Sequence, residues 1–206
     1  MKFKLSLVLG SVLLCAPAII GWSPPQSAAD VLKDGKAYSE VASAPDGAVL
    51  IHAAIDIPAP AKVIWQVMSD CKYADQLVVT VTSCKILQND PTHATDVRET
   101  VTRGNFFLPT IHNIVREQYD PYRSILFKKA GGNLKQEQGE WLLTPVGAGA
   151  ITRVTYENLV AADILAPAPI VRQAMKHDTA QVLMNLRRVS LAAVKSGAPM
   201  PIATLR

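Results

Sequence analysis

The chain has 206 residues, of which 49% are apolar and 18% charged, with a formal charge of +4. That balance excludes an intrinsically disordered chain, the 11 glycines and 14 prolines exclude a collagen-like or low-complexity one, and 3 cysteines are too few for a disulfide scaffold. The basic residues are dispersed rather than gathered into a stripe, so no nucleic-acid partner is expected.

Residues 1–29 read as an export signal. Lys2 and Lys4 form a positive start, an apolar run extends from Leu5 through Cys15 to Ile20, and the small residues Ser27, Ala28 and Ala29 suit cleavage after Ala29. Ala16-Pro17-Ala18 supplies an earlier A-x-A site. Left uncleaved, the segment would be a membrane anchor, although Pro17 and Gly21 keep it short of about 20 clean apolar residues. The expectation is export to a bacterial periplasm. With Lys2 and Lys4 removed, 21 basic residues become 19 against 17 acidic ones, so the mature chain is nearly neutral. Cys15 leaves as well, and Cys71 and Cys84 remain in an oxidising compartment. They are read as a disulfide closing a loop of about 14 residues, worth roughly 3 kcal/mol; the other reading is two small buried hydrophobes.

A loose lead-in is expected over 30–45, with one helical turn at Asp30–Lys33, and the domain proper over 46–196. Ala48–Ile57 is rich in β-branched residues and is stopped by Pro58 and Pro60, which predicts a strand. Val63, Ile64, Val67 and Met68 then recur at helical spacing beside Trp65, and Pro60 suits a helix start. Six strand-like runs follow: 78–87, 95–103, 108–119, 122–129, 134–143 and 151–160. Each ends on turn residues such as Asn89-Asp90-Pro91 or Gly131-Gly132-Asn133. Connections this short join antiparallel neighbours. From Ile170 to Ser196 there is neither proline nor glycine, and Val171, Ala174, Met175, Val182, Leu183, Leu186, Val189 and Ala193 form one apolar stripe. The fold class is therefore α+β: a curved antiparallel sheet of about seven strands wrapped on a long C-terminal helix, with a loose tail over 197–206.

This order resembles the START-like, or SRPBCC, helix-grip superfamily, and in particular its coenzyme-Q-binding and polyketide-cyclase-like branches. The stretch Ile55-Asp56-Ile57-Pro58-Ala59-Pro60 leading into Val63-Ile64-Trp65 and Asp70 is similar to the family's opening strand, proline turn and helix. Gly139-Glu140-Trp141-Leu142-Leu143, Thr152–Tyr156 and the prolines before the last helix support it. The resemblance implies a cavity for a lipid, sterol, quinone, hormone or polyketide, and leaves the choice among them open. It also places Cys71 after the first long helix and Cys84 on the next strand, where a bridge would pin the segment near the cavity mouth.

The usual catalytic signatures are missing, and His52, His93, His112 and His177 are scattered without metal-ligand spacing, so no catalytic residue, metal or cofactor is expected. The residues expected to line the cavity are Trp65, Val101, Phe106, Phe107, Ile111, Phe127, Trp141, Tyr156, Met175 and Val182. Polar candidates for the same face are Glu99, Arg103, Asn113 and Asn158, with Glu117 at matching parity and Glu99–Arg103 as a pair. Phe106-Phe107-Leu108 reads either as a lip touching membrane or ligand or as a covered corner. The leading expectation is an exported carrier of a lipid, quinone or isoprenoid, with transient membrane contact. A cyclase- or dehydratase-type enzyme using Glu99 or Tyr156 is the alternative, and a protein-interaction module without a cavity is the third.

Overall fold

The computed structural model describes residues 22–104, 109–163 and 166–197. The apolar runs and their turns become eight strands: β1 (Tyr38–Ser43), β2 (Val49–Ile57), β3 (Val81–Asp90), β4 (Thr95–Thr102), β5 (Ile111–Asp120), β6 (Ser124–Gly132), β7 (Gln136–Val146) and β8 (Ile151–Ala161). They form one antiparallel sheet in the order β1-β2-β8-β7-β6-β5-β4-β3. The meander from β3 to β8 follows from the short connections. At the β3–β4 turn the Asp90 carboxylate accepts the backbone N–H groups of Thr92 and His93, a local bond that favours a turn over a continued strand. Gly132 has φ +81°, and a Cβ there would sit 1.9 Å from the His112 carbonyl oxygen, so only glycine fits.

The helices are α1 (Ala29–Lys33), α2 (Ala61–Ser69), α3 (Ala74–Leu77) and α4 (Ala168–Ser196). Pro60 precedes α2, and its carbonyl accepts the N–H groups of Val63 and Ile64. The buried face of α2, Ile64, Trp65 and Val67, packs with Ile55 and Ile57 of β2, Leu143 of β7 and Val154 of β8. Leu183, Leu186 and Val189 of α4 close this core. Helix α4 ends at Gly197, which takes the left-handed conformation at φ +55°. Among the described residues no helix is long and apolar enough to cross a membrane.

The lead-in differs from the expectation. Residues 38–43 are not loose but form β1, which pairs with β2 and raises the strand number to eight. Being a short edge strand with Ala42 and Ser43 exposed, β1 shows no apolar alternation to read. The helical turn expected at Asp30–Lys33 is present as α1, preceded by a short 3-10 turn over Gln26–Ala28. In α4 the burial begins only at Leu183, so the first half of the expected stripe is at most half-buried. The tail beyond residue 197 and residues 1–21 of the signal lie outside the described residues.

Candidate ligand cavity

On the concave side of the sheet, α3, β3, β4, β5, β7 and α4 enclose a cavity of about 380 Å³. Its walls are largely apolar: Leu77, Val78 and Val81 on one side, Ile111, Ile125, Leu134 and Trp141 on the sheet, Val182 and Leu186 on the helix. Cys71 and Cys84 also line it and are joined by a disulfide, with Cα atoms 5.4 Å apart. The bridge fastens the turn after α2 to β3.

Strand register decides which polar side chains face inward. Direct cross-strand partners share a face. The pairs Thr100↔Asn113 and Thr102↔Ile111 put both threonines on the cavity side with Asn113 and Ile111. Glu99 and Val101, one residue out of phase, pair with Ile114 and His112 and point to the opposite face. This corrects the expectation for Glu99, Val101 and Arg103. Arg103 is exposed just beyond β4, and Glu99 lies 4.0 Å from His112 rather than against Arg103. On β4 the ordinary pattern is inverted, with valines outward and Arg98, Thr100 and Thr102 inward, so hydrophobicity pointed the wrong way.

At the end of the cavity stands a buried charge network. Arg98 Nη2 donates to the Ser69 carbonyl at 2.8 Å, to Tyr119 Oη at 3.0 Å and to Asp96 Oδ2 at 3.1 Å, while Nε lies 3.5 Å from Glu117 Oε2. Tyr119 Oη is within bonding distance of both Asp96 and Glu117. Burial raises Glu117 above the usual carboxylate range, against the pull of Arg98 and Tyr119. Arg98 separates the cavity from a second chamber of about 450 Å³ lined by Trp65, Tyr119 and Tyr122.

Glu137 of β7 is the other buried acid on the cavity wall. Burial pushes its carboxyl up, and hydrogen bonds from Asn113 and Asn158 only partly offset this. Asn158 Nδ2 also donates to Tyr156 Oη at 2.8 Å. Burial, then the nearby Glu137 charge, pushes the Tyr156 hydroxyl up as well. The Tyr156 ring stacks on Trp141, centroids 4.1 Å apart, and on Phe127 at 6.1 Å.

Of the expected lining residues, Ile111, Asn113, Trp141 and Val182 line the cavity, together with Glu117. Phe127, Tyr156 and Asn158 share the inward face beside Trp141 and Glu137 without lining the cavity themselves. Met175 packs instead against a cluster of Ile51, Leu134 and Val160, and Trp65 belongs to the core and the second chamber. Phe106 and Phe107 lie outside the described residues. Arg98 and Glu137 were missed. Glu137 was readable, since it shares the parity of Gly139 and Trp141; no feature of the sequence marks Arg98. Among the described residues no group of three metal-ligating side chains comes together.

A curved antiparallel sheet gripping a long C-terminal helix around a cavity defines a START-like helix-grip protein. Residues 57–187 match the family described as polyketide cyclase / dehydrase and lipid transport, and the chain belongs to that family. The fold is similar to that of the Zhui aromatase/cyclase from Streptomyces sp. R1128, with a TM-score of 0.59 and 16% identity over 73% of this chain and 98% of that one. A START superfamily protein from Mycobacterium smegmatis gives a TM-score of 0.60 and 14% identity over 70% and 98%. The human StarD13 lipid transfer and protein localization domain gives 0.57 and 13% over 78% and 92%. At these identities the likeness is one of fold. No curated protein matches the sequence.

Proposed function

We propose that the protein is an exported carrier that holds one uncharged hydrophobic molecule, of lipid, quinone or isoprenoid type, with an oxygen-bearing end turned toward Glu137 and Asn113. One observation carries this reading: a cavity of about 380 Å³, within the range of small-ligand sites, whose apolar wall is interrupted by a buried acid kept toward its neutral form. A neutral carboxyl donates a hydrogen bond to a carbonyl or hydroxyl oxygen. The sole cation among the described lining residues, Arg98, is already taken by Asp96, Glu117, Tyr119 and the Ser69 carbonyl, so an anionic ligand finds no counter-charge. The family description, which includes lipid transport, agrees with this reading. Transient membrane contact is part of it: Val79, next to the cavity residue Val78, is 74% exposed. The predicted signal and the disulfide support export.

The test is a titration of the delipidated protein with a short-chain benzoquinone, followed by quenching of Trp141. Saturable quenching at one molecule per chain is expected, and Ala74→Phe, whose ring would occupy the cavity, abolishes it while the far-ultraviolet spectrum is unchanged. Quenching that persists in this variant would overturn the assignment of the site.

An enzymatic reading keeps one supporting observation, two buried carboxyls raised toward neutrality on one cavity wall. It moves the acid–base candidate from Glu99 to Glu137. Turnover of a polyketide-like substrate that Glu137→Gln abolishes without weakening binding would establish it. The module without a cavity loses its premise, because the interior is not filled.

A further inference from the structure

The segment before β1 is built into the domain. Ala28 is fully buried and Leu32 is 2% exposed, both packed on Ala54 of β2. Trp22 covers the same patch. Its ring stacks on His52 with centroids 4.8 Å apart and planes 10° from parallel, and lies 6.4 Å from Tyr38. His52 is in turn held between Glu157 at 3.0 Å and Glu40 at 3.4 Å. The Ala28 N–H donates to the Pro25 carbonyl at 2.9 Å, which closes the turn that feeds α1.

A cut after Ala29 would discard the part of this contact that precedes Asp30. It would remove Trp22 and Ala28, bare Ala54 and His52 of β2, and start the chain inside the first turn of α1. We infer that the maturation cut falls earlier, after Ala18 of Ala16-Pro17-Ala18, so that the mature protein begins at Ile19 and retains Trp22 as a cover for His52. The small residues Ala16 and Ala18 directly follow the apolar run Leu5–Cys15, as a signal-peptidase site requires. Hydrolysis of the Ala18–Ile19 peptide bond by the host's signal peptidase consumes one water, leaving a carboxylate on Ala18 and a free amine on Ile19. This inference rests on the export reading above.

The full-length chain, expressed in a bacterium with an active export pathway, tests it by intact mass and N-terminal sequencing of the periplasmic protein. A start at Ile19 is expected. A periplasmic protein starting at Asp30 overturns the cut and leaves export standing, whereas an intact Met1 on cytosolic protein overturns export itself. Substitution separates the two sites further: Ala18→Leu accumulates as precursor and Ala29→Leu is processed normally, and the reverse pattern refutes the assignment. Refolded chains starting at Ile19 and at Asp30 add a readout independent of processing. The shorter one melts about 5 °C lower, and equal melting would remove the structural premise.

Discussion

Removing the Cys71–Cys84 bridge should loosen both the fold and the cavity rim. The two residues are 13 apart in sequence, so the bond closes a loop of about 14 residues, and the chain-entropy relation assigns such a loop roughly 3 kcal/mol. In a domain of this length each kcal/mol moves the melting midpoint by about 2–4 °C, so Cys71→Ala/Cys84→Ala should melt about 6–12 °C below the parent. The assay is thermal unfolding followed by far-ultraviolet circular dichroism, with the parent also measured under reductant. Reduced parent and double variant should coincide, and oxidised denatured parent should show no titratable thiol at these positions. Because both cysteines line the cavity, the double variant should also release a bound apolar probe faster. Two free thiols in the unreduced protein would refute the bridge. A bridge whose removal left the midpoint unmoved would refute the loop argument instead.

Two further outcomes follow from the buried acids and a third from the register of β4. Arg98→Met leaves Asp96 and Glu117 buried without their counter-charge, and urea unfolding should show a loss of about 3–5 kcal/mol, partly restored by adding Asp96→Asn; an unchanged midpoint would dismiss the network. Glu137 is raised by burial, so the folded state holds its proton more tightly than the unfolded one, and stability is lost as pH climbs from the ordinary carboxyl range through the raised value. Glu137→Gln should therefore melt like the parent near pH 4 and above it at pH 7.5, and equal pH slopes would contradict this. Glu99→Gln, on the outward face, should change probe affinity by less than about twofold; a tenfold loss would show the β4 register to be wrong.

Fold and site were legible to different degrees. Every strand from β2 to β8 announced itself by β-branched runs between turn residues, and α4 by a proline-free stripe. These signals are local, which is why they survive in the sequence. Strand β1 did not announce itself, because an edge strand with one neighbour needs little apolar alternation. The site depended on parity, which a one-residue offset reverses. Counting inward from Trp141 on β7 reaches Glu137, and from Tyr156 on β8 reaches Asn158, because large buried rings anchor the phase. On β4 no ring anchors it, and the inward face is built from Arg98, Thr100 and Thr102. The cavity inverts there the rule that makes strands readable, since Arg98 is held by partners on α2 and β5 that only the fold brings together.

The central claim is that the interior holds a ligand. Native mass spectrometry of the exported protein, purified without detergent, addresses it most directly. The account predicts a population heavier than the bare chain by one small hydrophobic molecule, which organic extraction removes and which the Ala74→Phe variant lacks. Bare protein alone, folded by circular dichroism and taking up no apolar probe after extraction, would contradict it.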